Sequence, residues 1–320
     1  MTSLPIDHAN AAPPVWTQPP RTGPSWIRIL LGGSALWMAS VVVTFATRNA
    51  NLVPTIILAG SFLVPVTFVA YAFRRADPVV TGQRVFAAFV YGGAVGVLGA
   101  SVLESVLLAH ASGWAYLQVG LIEEAVKLAV LWLMARRLPA YTARDGMVLG
   151  AAVGFGFAAF ESAGYAFNAL FTSSGLSLLN LVETEALRAV LAPLGHGLWT
   201  ALLGGALFAT AARTRSGRPR LRAPVIGWYL LVVLLHAFWD ASHTIALWLM
   251  WVLTGTPAQW TVLGLGELPD VTQTQVHLFT LLSWGLLVAD GLVGLMVLLV
   301  RWIPANRRPL ARARAGKAVP

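Results

Sequence analysis

The sequence predicts an all-α fold, a polytopic transmembrane helical bundle of about eight helices with both termini cytoplasmic. Three observations carry this expectation. Hydrophobic residues make up 57% of the 320 and charged residues 11%, with a mean hydropathy of +0.71, whereas soluble domains carry roughly 25% charged residues. Apolar runs of the length a spanning helix needs, about 20 residues, recur along the chain without the apolar–polar alternation of an outer-membrane barrel. Finally, the basic residues collect in alternate loops.

Spans are expected at roughly 26–45, 52–73, 85–109, 115–135, 146–171, 188–212, 225–253 and 278–303. Arg21 and Arg28 lie at the start of the first. Arg74, Arg75 and Arg84 separate the second from the third. Arg136, Arg137 and Arg144 follow the fourth, and Arg213, Arg215, Arg218, Arg220 and Arg222 follow the sixth. The eighth runs into Arg301, Arg307, Arg308, Arg312, Arg314 and Lys317. The opposite loops hold Arg48 and Arg188, with acids such as Glu183, Glu185, Glu267 and Asp270. By the positive-inside rule this sorting makes the helix number even. Trp114, Trp132 and Trp251 fall near span ends, where tryptophan anchors at the interface.

The loops are short except for 254–277 on the outer side, so no separate soluble domain is expected. Residues 1–25, rich in proline, read as a disordered cytoplasmic lead-in with no cleavable signal peptide. Residues 26–303 form the membrane domain and 304–320 a basic cytoplasmic tail. The net charge of +9 resides in loops and the tail rather than on a folded basic face, which argues against nucleic acid as a partner. The absence of cysteine excludes disulfides, thiol catalysis and cysteine-ligated metals. No internal repeat suggests a duplicated transporter. The arginine bias and high alanine content suit a bacterial genome, and the expected location is the inner (plasma) membrane, multi-pass.

Ionisable residues inside the spans cost about 2.5–3.5 kcal/mol each near the bilayer centre. Four consecutive spans nevertheless carry them: Glu123, Glu124 and Lys127 in the fourth, Glu161 in the fifth, His196 in the sixth, and His236, Asp240 and His243 in the seventh. At 1.5 Å per residue, Glu123 and His196 lie about 12 Å from the outer ends of their helices, Glu161 about 15 Å and Asp240 about 20 Å. The groups therefore share a slab from the outer half to the middle of the membrane. Lys127 is i+4 from Glu123 and i+3 from Glu124, within reach of both. The two glutamates point about 100° apart, so one faces the centre while the other is held by a partner. His236 and Asp240 share a face at i,i+4, a spacing that lets two ligands of one helix grip one metal ion.

Plainer readings exist for each feature. Buried Glu–Lys and His–Asp pairs can act as glue between helices, worth typically 0.6–2 kcal/mol per contact. That is a poor return on so many ionisable groups at one depth. An ion-coupled transporter or proton pathway would use the same residues, with Glu104 and Asp290 as further members. Gly150, Gly154, Gly156 and Gly164, and likewise Gly195, Gly197, Gly204 and Gly205, serve either close helix packing or the admission of an extended peptide.

EEAVK at 123–127, FAAFE at 157–161, His196 in a glycine-rich helix and HAFWD at 236–240, in this order, resemble the PrsW family of intramembrane proteases. That family is similar to the larger CAAX-protease and abortive-infection group. The resemblance covers about 115–245, the expected catalytic core. It implies functional roles for Glu123, Glu124, Glu161, His196, His236 and Asp240, with Phe157 and Trp239 as packing members of their motifs. The second motif ends in glutamate here, where CAAX-type enzymes usually place histidine, which favours the PrsW branch. Relatives cut the extracytoplasmic part of membrane-anchored anti-sigma factors, so a membrane-anchored protein in the bilayer is the expected substrate.

Amide hydrolysis needs an activated water, a stabilised oxyanion and a proton for the leaving amine. No serine or threonine stands beside an evident base, so the expected chemistry is water activation by Glu123 or Glu124, with Lys127 tuning its neighbour. In one version His196 and His236, with Asp240 or Glu161, bind zinc or a similar ion. In the other no metal is present, the histidines polarise the carbonyl, and Glu161 or Asp240 orients them. The depth of the polar slab places the cut near the outer membrane face.

Overall fold

The computed structural model of the chain describes residues 25–76, 79–108, 113–173, 175–214 and 218–315, with side chains as far as residue 305. Helices α1 (Trp26–Thr47) and α2 (Val53–Phe73) are followed by α3 (Gly82–Val90), which runs through a π turn at Tyr91–Val95 into α4 (Gly96–Leu107). Then come α5 (Ala115–Ala135), α6 (Ala143–Ala169), α7 (Leu178–Leu191), α8 (His196–Ala212), α9 (Ala223–Thr254), α10 (Pro257–Gly264) and α11 (Gln273–Ala315). A two-stranded hairpin, β1 (Phe171–Thr172) with β2 (Gly175–Leu176), joins α6 to α7, pairing Phe171 with Leu176 and Thr172 with Gly175.

Among the described residues, 7 helical segments are long and apolar enough to cross a membrane. Helix α5 is of similar length, 21 residues, but carries Glu123, Glu124 and Lys127. All three are buried, so its charges face protein rather than lipid. With α5 counted, the helical membrane bundle matches the one expected.

Three expectations shift. The sixth helix begins ten residues early, at Leu178, and is interrupted by a 3₁₀ turn at Ala192–Leu194 and by Gly195. Glu183, Glu185 and Arg188 therefore belong to α7 rather than to an outer loop or the end of a straight span. The 254–277 stretch contains α10, started by a capping box in which Thr256 accepts from Gln259 N and the Gln259 side chain accepts from Thr256 N. Helix α11 begins at Gln273 and continues to Ala315, so most of the expected basic tail extends this helix. Apart from Ser25, the lead-in expected at 1–25 lies outside the described residues.

Helix α6 is the axis of the bundle, buried without interruption from Asp145 to Ala159. An all-round apolar helix of small residues can occupy that place because neighbours close on it from every side. Cβ atoms built at Gly146, Gly150 and Gly154 would come closer than 3.0 Å to the backbone oxygens of Gly204, Thr200 and His196. The i,i+4,i+8 ladder on α6 thus meets the reverse ladder on α8, and backbone rests on backbone. On another side Gly92 and Gly156 allow the same closeness between the α3–α4 segment and α6. Gly120 brings α5 against α9, where a Cβ would lie 3.1 Å from Val233 O and 3.6 Å from His236 Cβ.

Gly150, Gly154, Gly156, Gly197, Gly204 and Gly205 are accordingly packing residues, whereas Gly164 and Gly195 have open space around them. Gly150→Ala is expected to lower stability by about 1–3 kcal/mol through overpacking. Gly164→Ala is expected not to lower it, and thermal unfolding of the two purified variants checks the contrast.

Candidate active site

Side chains from α5, α6, α8 and α9 converge at one place inside the bundle. Lys127 is at its centre, 0% exposed, and uses all three ammonium protons. It donates to Glu124 Oε1 at 2.7 Å, to Glu123 Oε2 at 3.1 Å and to His196 Nδ1 at 2.7 Å. The ammonium also lies over the Phe157 ring, 4.0 Å from its centroid. Phe157 is therefore a cation–π partner as well as the packing residue expected from its motif.

These contacts assign the tautomers. Nδ1 of His196 accepts from Lys127, so Nε2 carries the proton and donates to Glu161 Oε2 at 3.1 Å. His236 donates from Nδ1 to Glu124 Oε1 at 2.9 Å. Its Nε2 faces Asp240 Oδ2 at 3.4 Å and Glu123 Oε2 at 3.6 Å. The imidazoles are held face to edge, 5.0 Å apart, and Trp199 stacks on His236 at 4.9 Å.

Exposure rises steadily across the site. Side chains of Glu124 and Lys127 are 0% exposed, Glu123 9%, Glu161 18% and Asp240 29%. A cavity of about 430 Å³ opens on the exposed side, lined by Glu104, Glu123, Glu161 and Asp240 with Tyr116, Tyr165 and Phe157. Glu124 does not line it. The two adjacent glutamates of α5 thus divide as their 100° offset requires: Glu123 meets the cavity and Glu124 is clamped between Lys127 and His236.

The structure gathers all seven of the residues singled out from sequence, Glu123, Glu124, Lys127, Glu161, His196, His236 and Asp240. His243 is not among them; it is exposed and packs near Phe279, 6.3 Å between ring centroids. Asp290 is buried on α11 away from the cavity lining. Glu104, read from sequence as a further member of an ion or proton path, lines the cavity wall.

Arg188 is the residue that sequence reasoning missed. It donates from Nη2 to Glu161 Oε2 at 2.5 Å and from Nε to Ser162 Oγ at 2.8 Å, with its guanidinium over Tyr165 at 4.2 Å. It ties α7 to α6 and holds the carboxylate that holds His196. One signal pointed to it: with Arg48, it was an exception to the sorting of basic residues by side.

The donor chemistry suits a divalent metal. One ligand atom each from Glu123, His196 and His236 lie within 4.8 Å of one another. Two imidazoles with a carboxylate and an open position form a familiar catalytic zinc set. Carboxylates behind both rings, Glu124 on His236 and Glu161 on His196, supply the outer partners that orient such ligands. Charge agrees: Glu123, Glu124, Glu161 and Asp240, if all ionised, exceed Lys127 and Arg188 by two negative charges. His196 would join a metal by exchanging its bond from Lys127. Asp240 and Glu161, expected as possible ligands, lie beside this group, and Glu123 is added to the candidates.

Residues 81–265 match the family model of the PrsW family intramembrane metalloproteases. The match spans more than half of the chain and encloses every residue of the site, and the chain belongs to this family. No curated protein and no solved structure matches.

Proposed function

We propose that this member of the PrsW family hydrolyses a peptide bond of a membrane-anchored protein near the outer membrane face, using water activated by Glu123. The observation that carries the reading is the meeting of the acid-lined cavity with the buried His–Glu–Lys cluster at Glu123. Of the glutamate pair held by Lys127, Glu123 is the one that lines the cavity, behind the more exposed Glu161 and Asp240. Glu123 Oε2 and Nε2 of His236 lie 3.6 Å apart, so a water donates to Glu123 from the cavity side with His236 as its second neighbour. Glu123 takes its proton as the water attacks the carbonyl carbon, then returns the proton to the leaving amine. Lys127 compensates the charge of the pair of glutamates, Glu124 fixes the His236 tautomer, and Glu161 with Arg188 fixes that of His196.

In a metal-bound form Glu123, His196 and His236 would hold the ion, which would supply Lewis-acid polarisation and a more acidic water in place of the Glu123–His236 water position. Nitrogen and oxygen donors without thiolate suit zinc. Purified protein is expected to carry about one metal ion per chain, and His236→Ala to reduce that content, read by elemental analysis. Metal-free protein that still cleaves substrate in chelator would remove the metal.

The substrate helix must unwind to offer its backbone, so small or helix-breaking residues are expected near its outer end. Both termini of the protease are placed on the cytoplasmic side by its arginine distribution. An anti-sigma factor is a substrate of the right architecture. The test compares N-terminal peptides from membranes of cells expressing the wild type or Glu123→Gln at matched levels. Loss of termini near the outer boundary of single-pass proteins in the variant supports proteolysis and names the substrate. Identical peptide maps with altered ion flux would instead assign these acids to transport.

A further inference from the structure

At the opposite end of α5 two more cavities adjoin. The first, about 750 Å³, is apolar and runs between α5 and α9, walled chiefly by Leu128, Ala129, Trp132, Val225, Ile226 and Tyr229. The second, about 510 Å³, is walled by Trp132 and Pro219 with Arg136, Arg137, Arg218 and Arg220. Trp132, Pro219 and Arg220 line both, so an apolar groove opens directly into a cationic mouth.

The mouth is a built feature rather than a chance gathering of charge. Trp132 donates from Nε1 to Pro219 O at 3.0 Å, which pins the segment before α9 against the end of α5. Pro219 is buried there while the four arginines are exposed. Among the described residues no carboxylate pairs with any of those four. Four guanidinium groups around one cavity repel each other unless an anion sits among them, and the planar fork of arginine suits phosphate. The floor of the same site excludes a purely hydrophilic ligand, because it is apolar and of a size that holds a small-molecule or lipid moiety. An anion with a long apolar tail satisfies both halves.

We propose that this groove binds one anionic glycerophospholipid, its phosphate among Arg136, Arg137, Arg218 and Arg220 and an acyl chain between α5 and α9. The positive-inside sorting puts the mouth at the cytoplasmic surface, where basic pockets between helices take anionic headgroups. The inner end of the groove is closed by Tyr229, whose hydroxyl donates to Leu121 O at 2.7 Å, two residues before Glu123. The lipid therefore braces the two helices that carry Glu123 and His236, and the site stands independently of what those residues do.

The full chain, purified in detergent, is titrated with dioleoylphosphatidylglycerol or dioleoylphosphatidylcholine and the retained lipid is read by native mass spectrometry. One phosphatidylglycerol is expected per chain, with about tenfold preference over phosphatidylcholine. The preference is expected to vanish in R136Q/R220Q. Ala129→Phe, which fills the groove and leaves the arginines in place, is expected to lower retention as well. This second variant decides the matter if the arginine pair fails to fold. Equal retention of the two lipids would overturn the proposal, reducing the groove to ordinary lipid contact. Displacement of phosphatidylglycerol by equimolar glycerol 3-phosphate, with Ala129→Phe unaffected, would overturn it in favour of a site for a soluble phosphate.

Discussion

Glutamine in place of Glu123 is expected to lower kcat for substrate cleavage by about 10²–10⁴-fold, the range that a positioned general base contributes. The substitution keeps shape and one hydrogen-bonding oxygen but removes the proton acceptor that faces both the cavity and Nε2 of His236. KM is expected to change little, because Glu123 is one wall residue among several. The folded state should persist, since Lys127 retains Glu124 and His196 as partners. A kcat near the wild-type value in a folded variant would transfer the base to another carboxylate of the cavity. Glu124→Gln acts differently, by loosening His236 and Lys127, so its effect should appear in stability as well as in rate.

Lys127→Met is expected to cost about 3–5 kcal/mol of stability, the penalty for stripping one partner from a buried charged cluster. Methionine fills similar volume, so the loss comes from charge: Glu123 and Glu124 are left adjacent, with Glu124 fully buried. Adding Glu124→Gln to the same chain removes one stranded carboxylate and should recover part of the loss. That non-additivity is the signature of direct coupling, and unfolding midpoints of the two single variants and the double variant measure it. Additive effects would mean that the pair is not coupled in the native state. Lys127→Arg should be poorly tolerated too, since the larger guanidinium has no room in a site with no exposure.

Helix number and the converging residues were legible because both follow from simple periodicities. Apolar run length marks the spans, and i,i+3 and i,i+4 spacing puts Lys127 with both glutamates and His236 with Asp240. The division of labour between Glu123 and Glu124 needed three dimensions, since their angular offset says that they differ but not which one meets the cavity. The break before His196 was hidden because apolar residues continue through Ala192–Leu194, and hydropathy does not register a 3₁₀ turn. That break moved Arg188 into α7 and set it against Glu161, a contact between residues 27 apart in sequence that no local spacing reveals. The glycines of α6 and α8 were recognisable as small residues. Their role as facing ladders depended on which helix lies against which.

The most direct measurement reconstitutes the purified chain with a single-pass membrane protein in liposomes and maps the products by mass spectrometry, for the wild type and for Glu123→Gln. One cut near the end of the substrate helix that corresponds to the outer face is expected from the wild type and none from the variant. The same products at the same rate from both proteins, or a wild-type cut at the cytoplasmic end, would contradict it.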